Sequence, residues 1–556
     1  MKAHEIVLKL LYEAGVDKIF TLMSEDTMSL MSKIETEWDD RVQMVKSRHE
    51  QGAVAMADGY ARAGNDFGVC LVGRGPAVAQ TGNALVTARK KGSNVLMITP
   101  SAPQTLEYDI KDFEQEAYLR STVGEVITVT SNDTLVSDFQ EAVRRVQIGD
   151  GPLAIQVPWD LFNAEMTAPD DLGSVGFPDP DRTDGLAAHV QPDDDLVEAA
   201  VDMYLDADAL QPPVVIAGRG AMQAGAKEAI EEFAERTSSL LASSLQGRNL
   251  FDDHPYYLGF TGGWGTNLAN QYANESDLVF AVGVSLNPYT MDKGHVLGDD
   301  TTVVHIDANP ESIGRYTDVD LGIPGDARVT IETLSEALER EGIDREGELW
   351  SEDLKTRIEE SSPMNEREYP EVPGTIDPRD LVVALDEVLP AEKKVVADGG
   401  HFTRWVMDGI HTPPEDFTFT LDFAGIGLGL PIGVGTAVAT EDKPCVTVCG
   451  DAGLMMSIQE LETAVRNDVP MTLVVMNDSS LGSEYHSLDQ GGEPPEAALV
   501  DSPDFADIAE SMGADGYTVK SLDKLEAISD VLGRTLDGPV VVDCKVNHEV
   551  RHRSKM

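Results

Sequence analysis

The sequence predicts an α/β protein made of three doubly wound domains with parallel sheets, and three observations support this. Short apolar, β-branched runs alternate with helix-period patterns along the chain, which is typical of parallel sheets with crossover helices. At 556 residues, the chain is too long for one core, since domains usually have roughly 100–200 residues. Two polar segments without periodicity divide the alternating pattern into three parts.

These two segments give the predicted domain boundaries. The N-terminal domain covers residues 1–166, and a segment rich in Pro, Gly and Asp, 167–192, follows it as a linker. The central domain covers 193–340. A second polar linker, 341–378, leads into a C-terminal domain at 379–556. No short-period repeat interrupts this order.

Twelve apolar, β-branched runs have the length and composition of buried strands. The predicted strands are Lys18–Met23, Val42–Lys46, Gly68–Val72, Val95–Thr99, Leu153–Val157, Val214–Ala217, Leu278–Val282, Val303–Ile306, Lys394–Ala397, Val446–Cys449, Thr472–Met476 and Val540–Cys544. Because they recur in all three parts of the chain, each domain is expected to have its own sheet.

The charge balance excludes two classes of partner. The chain has 98 acidic and 42 basic side chains, a formal net charge of -56. This charge would repel nucleic acid and anionic membranes. The acidic residues are scattered through every region and do not form a tail, so we interpret them as a solvated surface suited to molar salt, where screening shortens to about 3 Å. A cytoplasmic protein of a high-salt organism is the expectation.

The cysteines and the length of the apolar runs also indicate a cytoplasmic protein. Four cysteines in so long a chain do not make a disulfide framework, and all lie in apolar runs, as buried thiols would in a reducing compartment. The first twenty residues alternate charged and apolar side chains at helical spacing, which predicts an amphipathic helix and not a signal peptide. No apolar run approaches the roughly 20 residues of a membrane span.

Acidic turns follow two of the predicted strands. Gly450-Asp451 ends one strand, and Asn477-Asp478 ends the next, 27 residues after Asp451. In doubly wound sheets, ligands bind beyond the carboxyl ends of the strands, where two carboxylates suit Mg²⁺. Gly450, Ala452 and Gly453 leave backbone N–H groups open for a diphosphate. The alternative is a pair of surface turns in which Asp and Asn serve turn geometry only.

The paired turns resemble the diphosphate-binding motif of thiamin diphosphate enzymes, Gly-Asp-Gly followed within thirty residues by Asn-Asn. The resemblance implies that Asp451, Asp478 and the backbone carbonyl of Ser480 are Mg²⁺ ligands. Two departures stand out: Ala452 replaces the usual second glycine, and Asp478 replaces the usual asparagine. We expect intact metal binding with a changed preference among divalent ions.

A second match lies in "KSRHEQGAVAMADGYARAGN", residues 46–65. Taken alone, Glu50 is a carboxylate at a helix start, favourable beside the helix dipole. The family carries His-Glu, small residues and Gly-Tyr-Ala-Arg in this place, and Glu50 matches its catalytic glutamate. The resemblance implies that a largely buried Glu50 with a raised pKa shares a proton with N1′ of the aminopyrimidine. This activates the cofactor to attack the carbonyl of a 2-oxo acid.

The third match is "LDFAGIGLGLPIGVGTAVA", residues 421–439, which could also be a tightly packed helix. In the family, the apolar residue at the position of Ile426 holds the cofactor in a bent shape. Ala424 and Gly425 would contact the aminopyrimidine through their backbones. Upstream, "ADGGHFTRW" resembles the family's diphosphate loop and implies that Gly399, Gly400 and His401 lie near the diphosphate.

The resemblance covers nearly the whole chain and is closest to acetolactate synthase-like members. It implies a pyrimidine-binding, a central and a diphosphate-binding domain, in that order. It also implies active sites between the subunits of a homodimer or homotetramer. The FAD-contacting "RFDDR" segment of true acetolactate synthases is replaced by "VGVSLNPYTMDKG", residues 282–294, so FAD is not expected.

We therefore predict a thiamin diphosphate- and Mg²⁺-dependent decarboxylase or carboligase acting on a small 2-oxo acid. His401 and His486 are the candidate acid/base groups, and the alternative is that they are structural or exposed histidines. One alternative is a 2-hydroxyacyl-CoA lyase or oxalyl-CoA decarboxylase-type enzyme, although a CoA ester would need a basic patch. Another is a catalytically silent paralogue. A nicotinamide-dependent dehydrogenase rests only on a weak glycine-rich turn in residues 215–226.

Overall fold

The computed structural model describes residues 1–64, 67–149, 151–167, 190–207, 211–345, 347–361, 364, 367–440, 442–534 and 536–552. These residues form three six-stranded sheets flanked by helices. All the strand pairs within the sheets are parallel. The predicted fold class is confirmed.

The strands have the following bounds. The first sheet contains β1 (Lys18–Thr21), β2 (Gln43–Lys46), β3 (Gly68–Leu71), β4 (Val95–Ser101), β5 (Glu125–Thr128) and β6 (Leu153–Pro158). The second contains β7 (Val214–Ala217), β8 (Leu240–Ser243), β9 (Tyr257–Phe260), β10 (Leu278–Val282), β11 (Thr302–Asp307) and β12 (Leu321–Pro324). The third contains β13 (Lys394–Ala397), β14 (Phe417–Phe419), β15 (Cys445–Gly450), β16 (Met471–Asn477), β17 (Asp515–Val519) and β18 (Pro539–Lys545).

The strand order is β2-β1-β3-β4-β6-β5 in the first sheet, β12-β11-β10-β7-β8-β9 in the second and β14-β13-β15-β16-β18-β17 in the third. In each sheet the order reverses part of the way across, which is the doubly wound arrangement. Crevices at such reversals, outside the carboxyl ends of the strands, are the usual ligand sites.

The α-helices are Ala3–Glu13, Met28–Lys33, Glu50–Arg62, Pro76–Ala79, Gly82–Lys91, Gln115–Thr122, Leu135–Gln147, Trp159–Phe162, Asp194–Asp206, Arg219–Gln223, Lys227–Thr237, Asn267–Glu275, Ala327–Arg340, Glu352–Glu359, Pro378–Val388, Thr403–Gly409, Gly429–Ala439, Asp451–Leu454, Glu460–Arg466, Gly482–Gly491, Phe505–Met512, Leu522–Glu526 and Ser529–Leu532. Short 3₁₀ turns occur at Leu245–Gly247, Asp292–Gly294, Pro414–Asp416, Leu421–Phe423 and Pro495–Ala498, and Ile34–Trp38 is a π-helical turn. The predicted amphipathic N-terminal helix is present, and among the described residues no helix is long and apolar enough to cross a bilayer.

The chain divides into two compact units. One comprises the described residues of Met1–Ala187, Tyr369–Ile410 and Asp416–Arg551, and contains the first and third sheets. The other contains the second sheet. In the first unit one apolar core draws on both sheets, because the helix Glu50–Arg62 packs against the helix Gly429–Ala439. We call these two the Glu50 helix and the Gly429 helix.

Each of the twelve predicted strands occurs within two residues of its predicted bounds, and all four cysteines are buried with free thiols. The predicted linker 341–378 contains a helix, Glu352–Glu359, and the Trp350 ring stacks on Tyr256 at 4.4 Å between centroids. Most of the other predicted linker, 167–192, lies outside the described residues. The domain boundaries therefore stay predictions.

Candidate active site

The carboxyl ends of β15 and β16 bring the two acidic turns together. Gly450 pairs with Met476 in the parallel register, so Asp451 and Asp478 leave the sheet side by side. Both strands are almost wholly buried, because they lie in the middle of the sheet and have helices on both faces. The spacing of 27 residues is thus the length of the crossover between neighbouring strands, which contains the short helices Asp451–Leu454 and Glu460–Arg466.

The two carboxylates interact. Asp451 is 2 % exposed, and the hydroxyl of Ser502 donates a hydrogen bond to its Oδ2. Burial raises the pKa of Asp451. Burial, followed by the charge of Asp451, raises the pKa of Asp478 to about 7. The charge of Asp451 therefore disfavours ionisation of Asp478, and a bound divalent cation would reverse this effect.

The residues at this position fit a magnesium ion. Within the described ranges, no group of three or more His, Cys, Asp or Glu side chains is placed to hold a metal, so the site offers a pair of carboxylates only. Such a pair suits Mg²⁺, which keeps several water ligands and shares phosphate oxygens. Asp451 and Asp478 would hold the ion, and the phosphate oxygens would come from a bound diphosphate.

The turn after β16 is rigidly built. Ser479 has a positive φ of 53°, and the N–H and the hydroxyl of Ser480 both donate to Oδ1 of Asp478 at 2.9 Å. The N–H of Val500 donates to the Ser479 carbonyl at 2.8 Å. Ser480 is thereby held against the Asp478 carboxylate. That its backbone carbonyl is a metal ligand stays a prediction.

The glycine-rich loop before the Gly429 helix approaches the loop that follows β13. A Cβ built on Gly399 would lie 2.1 Å from Cδ2 of Leu421 and 3.1 Å from Cγ2 of Ile426. Ala424 has a φ of 58°, which is unusual for a residue other than glycine. A Cβ on Gly425 would lie 2.6 Å from Oδ1 of Asn83. Ile426 thus lies beside Gly399, and the neighbouring loop touches the N-terminal sheet's helix Gly82–Lys91.

Two glycines, at the end of β15 and in the turn after it, have neighbours that the sequence did not indicate. A Cβ on Gly453 would lie 2.9 Å from Oδ2 of Asp398, a fully buried carboxylate at the end of β13. Gly450, in contrast, faces the ring of Phe402. Ala452, in place of the usual glycine, is partly buried in the first turn after Asp451. In the sequence, Asp398 appears only as the second residue of "ADGGHFTRW", with no sign of its contact to Gly453.

Glu50 lies at the first position of its helix and is half-buried. Just before it, the backbone N–H of Arg48 donates to both Oε atoms of Glu460, at 3.1 and 3.3 Å. A Cβ on Gly52 would lie 2.3 Å from Oε1 of Glu460. The start of the Glu50 helix therefore contacts Glu460, a residue that the sequence did not indicate.

The two candidate histidines are neighbours. The rings of His401 and His486 have centroids 4.4 Å apart, and both side chains are buried. Burial, assisted by the charge of Arg551, lowers the pKa of His486 to about 4. His401 and Asp478 also line a small cavity. His486 is thus neutral near pH 7, and a substrate role for either histidine stays a prediction.

Three family models match consecutive parts of the chain. They describe the thiamine pyrophosphate enzyme N-terminal TPP-binding domain at residues 1–121, the central domain at 198–334 and the C-terminal TPP-binding domain at 398–544. Asp451 and Asp478 lie within the C-terminal match. Glu50 lies within the N-terminal match.

Curated relatives extend over almost the whole chain. A probable acetolactate synthase large subunit of Methanocaldococcus jannaschii is 26% identical over 535 residues, which is 95% of this chain and 89% of the relative. Acetolactate synthase isozyme 2 large subunit of Escherichia coli is 27% identical over 569 residues, 98% and 96%. Sulfoacetaldehyde acetyltransferase of Castellaniella defragrans is 26% identical over 565 residues, 97% and 91%.

The order of the three matched domains, the parallel sheet in each and the paired acidic turns agree with one another. The chain belongs to the thiamin pyrophosphate enzymes and is similar to acetolactate synthases.

Proposed function

We propose that this chain is a thiamin diphosphate- and Mg²⁺-dependent enzyme that acts on a 2-oxo acid as a decarboxylase or carboligase. The observation that carries the proposal is the pair of carboxylates, buried Asp451 and partly buried Asp478, at the ends of neighbouring strands. Such a pair suits a metal that holds a diphosphate. The names of the relatives favour carboligation, since they are acetolactate synthases and an acetyltransferase.

The cofactor, when bound, supplies the carbanion chemistry that a protein side chain cannot. In this proposal Asp451, Asp478 and the Ser480 carbonyl hold the metal. The backbone around Gly399, Gly400 and His401, and that of Gly450 to Gly453, holds the diphosphate. Ile426 fixes the cofactor's shape against Gly399. Glu50 exchanges a proton with the aminopyrimidine ring.

The role proposed for Glu50 also implies that the protein is an oligomer. Glu50 would act on the cofactor bound to a partner subunit, so we propose a homodimer or homotetramer. Exposed apolar side chains support this: Phe423, Met455 and Met456 are 47, 47 and 55 % exposed beside the loops that would hold the cofactor. Large apolar side chains grouped at a functional site commonly mark an interface.

Other assignments have less support. A lyase acting on CoA esters and a dehydrogenase are not favoured by the names of the relatives. A catalytically silent paralogue would not need a glutamate at the start of the Glu50 helix. FAD stays outside the proposal because the predicted FAD-contacting segment differs in sequence.

The test is a panel of 2-oxo acids in molar KCl with Mg²⁺ and thiamin diphosphate, following release of CO₂ and formation of chiral 2-hydroxyketones. Glu50→Gln is expected to bind the cofactor and to lose turnover by about a hundredfold or more. Glu13→Gln, an exposed change of the same type in the same domain, is the control. Equal turnover by Glu50→Gln would refute the mechanism, and a cofactor-bound chain that turns over no 2-oxo acid would refute the function.

A further inference from the structure

Asp398 is the residue directly after β13, and its side chain is completely buried. Its side chain is 0 % exposed. Oδ1 accepts hydrogen bonds from the N–H of Gly399 at 2.8 Å and from the hydroxyl of Thr420 at 3.1 Å. Oδ2 accepts from the N–H of Gly427 at 2.9 Å. The N–H of Gly429 is a further donor to this carboxylate.

These four partners of the carboxylate are all hydrogen-bond donors. Three are backbone N–H groups and one is a hydroxyl. A carboxylate can accept all four hydrogen bonds, whereas an amide would have to turn its NH₂ group toward one of the backbone N–H donors. The arrangement therefore disfavours an amide at this buried position, because one backbone N–H donor would face an NH₂ group.

The space around Asp398 is also filled. A Cβ on Gly429 would lie 2.5 Å from Cβ of Asp398, and a Cβ on Gly453 would lie 2.9 Å from its Oδ2. Gly453 belongs to the turn that starts with Asp451, and Gly429 begins the Gly429 helix. Two glycines are thus required by the close approach of this one side chain, since a larger residue would push it away.

These contacts join three segments that are far apart in sequence: the loop 399–401, the loop 424–429 and the turn 451–453. We propose that Asp398 is a positioning residue that fixes these three segments relative to one another before the cofactor binds. The proposal rests on the proposed function, because the three segments are those assigned there to the diphosphate and to Ile426. Asp398 itself does not touch the cofactor in this role.

The consequence is a preorganised binding site. A cofactor that enters loops already in place pays less conformational entropy than one that must order them. Loss of Asp398 should therefore weaken cofactor binding more than it changes the steps that follow binding. This separates positioning from direct participation, which would lower turnover even when the cofactor is saturating.

The test compares Asp398→Asn with wild type. The amide keeps the shape but places an NH₂ group against backbone N–H donors. Calorimetric titration with thiamin diphosphate and Mg²⁺ should give a dissociation constant about 10–100-fold higher. At saturating cofactor, turnover should change by a smaller factor than the dissociation constant, and the KM for the 2-oxo acid should be unchanged. Deuterium exchange of the cofactor-free protein should be faster in peptides that cover residues 421–430, with Asp380→Asn, an exposed change of the same type, as the control.

A second variant keeps the test decisive if Asp398→Asn does not fold. Thr420→Val removes one of the four donors at nearly constant volume, and should raise the dissociation constant by a smaller factor, about two- to fivefold. A cofactor affinity within twofold of wild type in the folded variants would overturn the inference. A wild-type chain that does not bind thiamin diphosphate would instead overturn the proposed function, and this inference with it.

Discussion

Gly59 lies directly against the main chain of Ile432: a Cβ built on Gly59 would be 2.0 Å from the Ile432 carbonyl oxygen. Gly435 approaches the Met56 carbonyl in the same way, at 1.9 Å. The Glu50 helix and the Gly429 helix thus cross with their backbones in contact, and each supplies a glycine. This crossing holds together the parts of the first unit that contain the first and third sheets.

Gly59→Ala should therefore destabilise the first unit. The added methyl group has backbone in front of it, which cannot rotate away as a side chain can, so the helices must separate. We expect a loss of about 1–3 kcal/mol, or more if the separation opens the shared core. Denaturant unfolding of the cofactor-free protein measures this.

The matched control is Gly491→Ala. Gly491 is the last residue of a helix, and nothing lies within 4 Å of a Cβ built there, so the change should be neutral or slightly stabilising. Equal unfolding free energies for the two variants would show that the crossing tolerates a methyl group, contrary to the geometry.

Glu460 gives a second prediction, because it is fully buried and accepts the N–H groups of Arg48 and His49 and the hydroxyl of Thr463. In Glu460→Ala these donors lose their acceptor. We expect a loss of about 1–3 kcal/mol of unfolding free energy, and a lower kcat because the start of the Glu50 helix is no longer fixed. Unfolding and turnover should be measured on the same preparations.

Glu462→Ala is the control for that change. Glu462 is on the same helix and also contacts Arg48, but it does so through the guanidinium group, in a pair that is 51 and 29 % exposed. A solvent-exposed pair contributes little, so the loss should be smaller. If Glu462→Ala lowers kcat as much as Glu460→Ala, the buried hydrogen bonds are not what positions Glu50.

The sequence predicted the strands in the middle of the sheets better than those at the edges. All the strands that it missed, except β8, are edge strands: β5, β9, β12, β14 and β17. Central parallel strands are buried on both faces and are continuous apolar runs, as in β16. β17, in contrast, is exposed or half-buried at most positions. Its sequence, Asp515–Val519, does not resemble a buried strand.

The acidic turns were predictable because each follows directly from a strand and has local turn chemistry. Asp398 and Glu460 were not, since their partners are distant along the chain. Asp398 bonds to Gly427, 29 residues away, and Glu460 bonds to Arg48 across 412 residues. A single sequence contains no signal for such pairs, which arise only when distant segments pack together in the folded chain.

The net charge of -56 gives a prediction about salt. At low ionic strength this charge repels itself over a Debye length of about 10 Å, which falls to about 3 Å at 1 M. The midpoint of thermal unfolding should therefore rise as KCl increases from about 0.1 to 2 M. Sucrose at matched osmolality is the control, and a midpoint that is independent of KCl would contradict the interpretation of the acidic surface.

His486 gives a prediction about acid stability. Its folded-state pKa of about 4 lies below the unfolded value of 6.5, so the unfolded chain binds the extra proton between these values. Stability from the neutral imidazole is present above pH 6.5 and is lost as the pH falls toward 4, by up to about 3 kcal/mol. In His486→Gln this loss should be reduced. Unfolding at pH 7.5, 6 and 5 measures it, and parallel pH curves for the two proteins would contradict the assignment.

The last prediction concerns Asp478, which stands where the family usually has asparagine. Asp478→Asn removes a partly buried charge that Asp451 disfavours, so the metal-free protein should become more stable. The same change replaces a charged ligand by a neutral one, so the Mg²⁺ dissociation constant should rise by about tenfold. Thermal unfolding with and without Mg²⁺ should therefore show a higher metal-free midpoint and a smaller increase on adding metal. Asp489→Asn, an exposed change of the same charge, should show neither effect. A larger metal-induced increase in Asp478→Asn would mean that the Asp478 carboxylate is not a ligand.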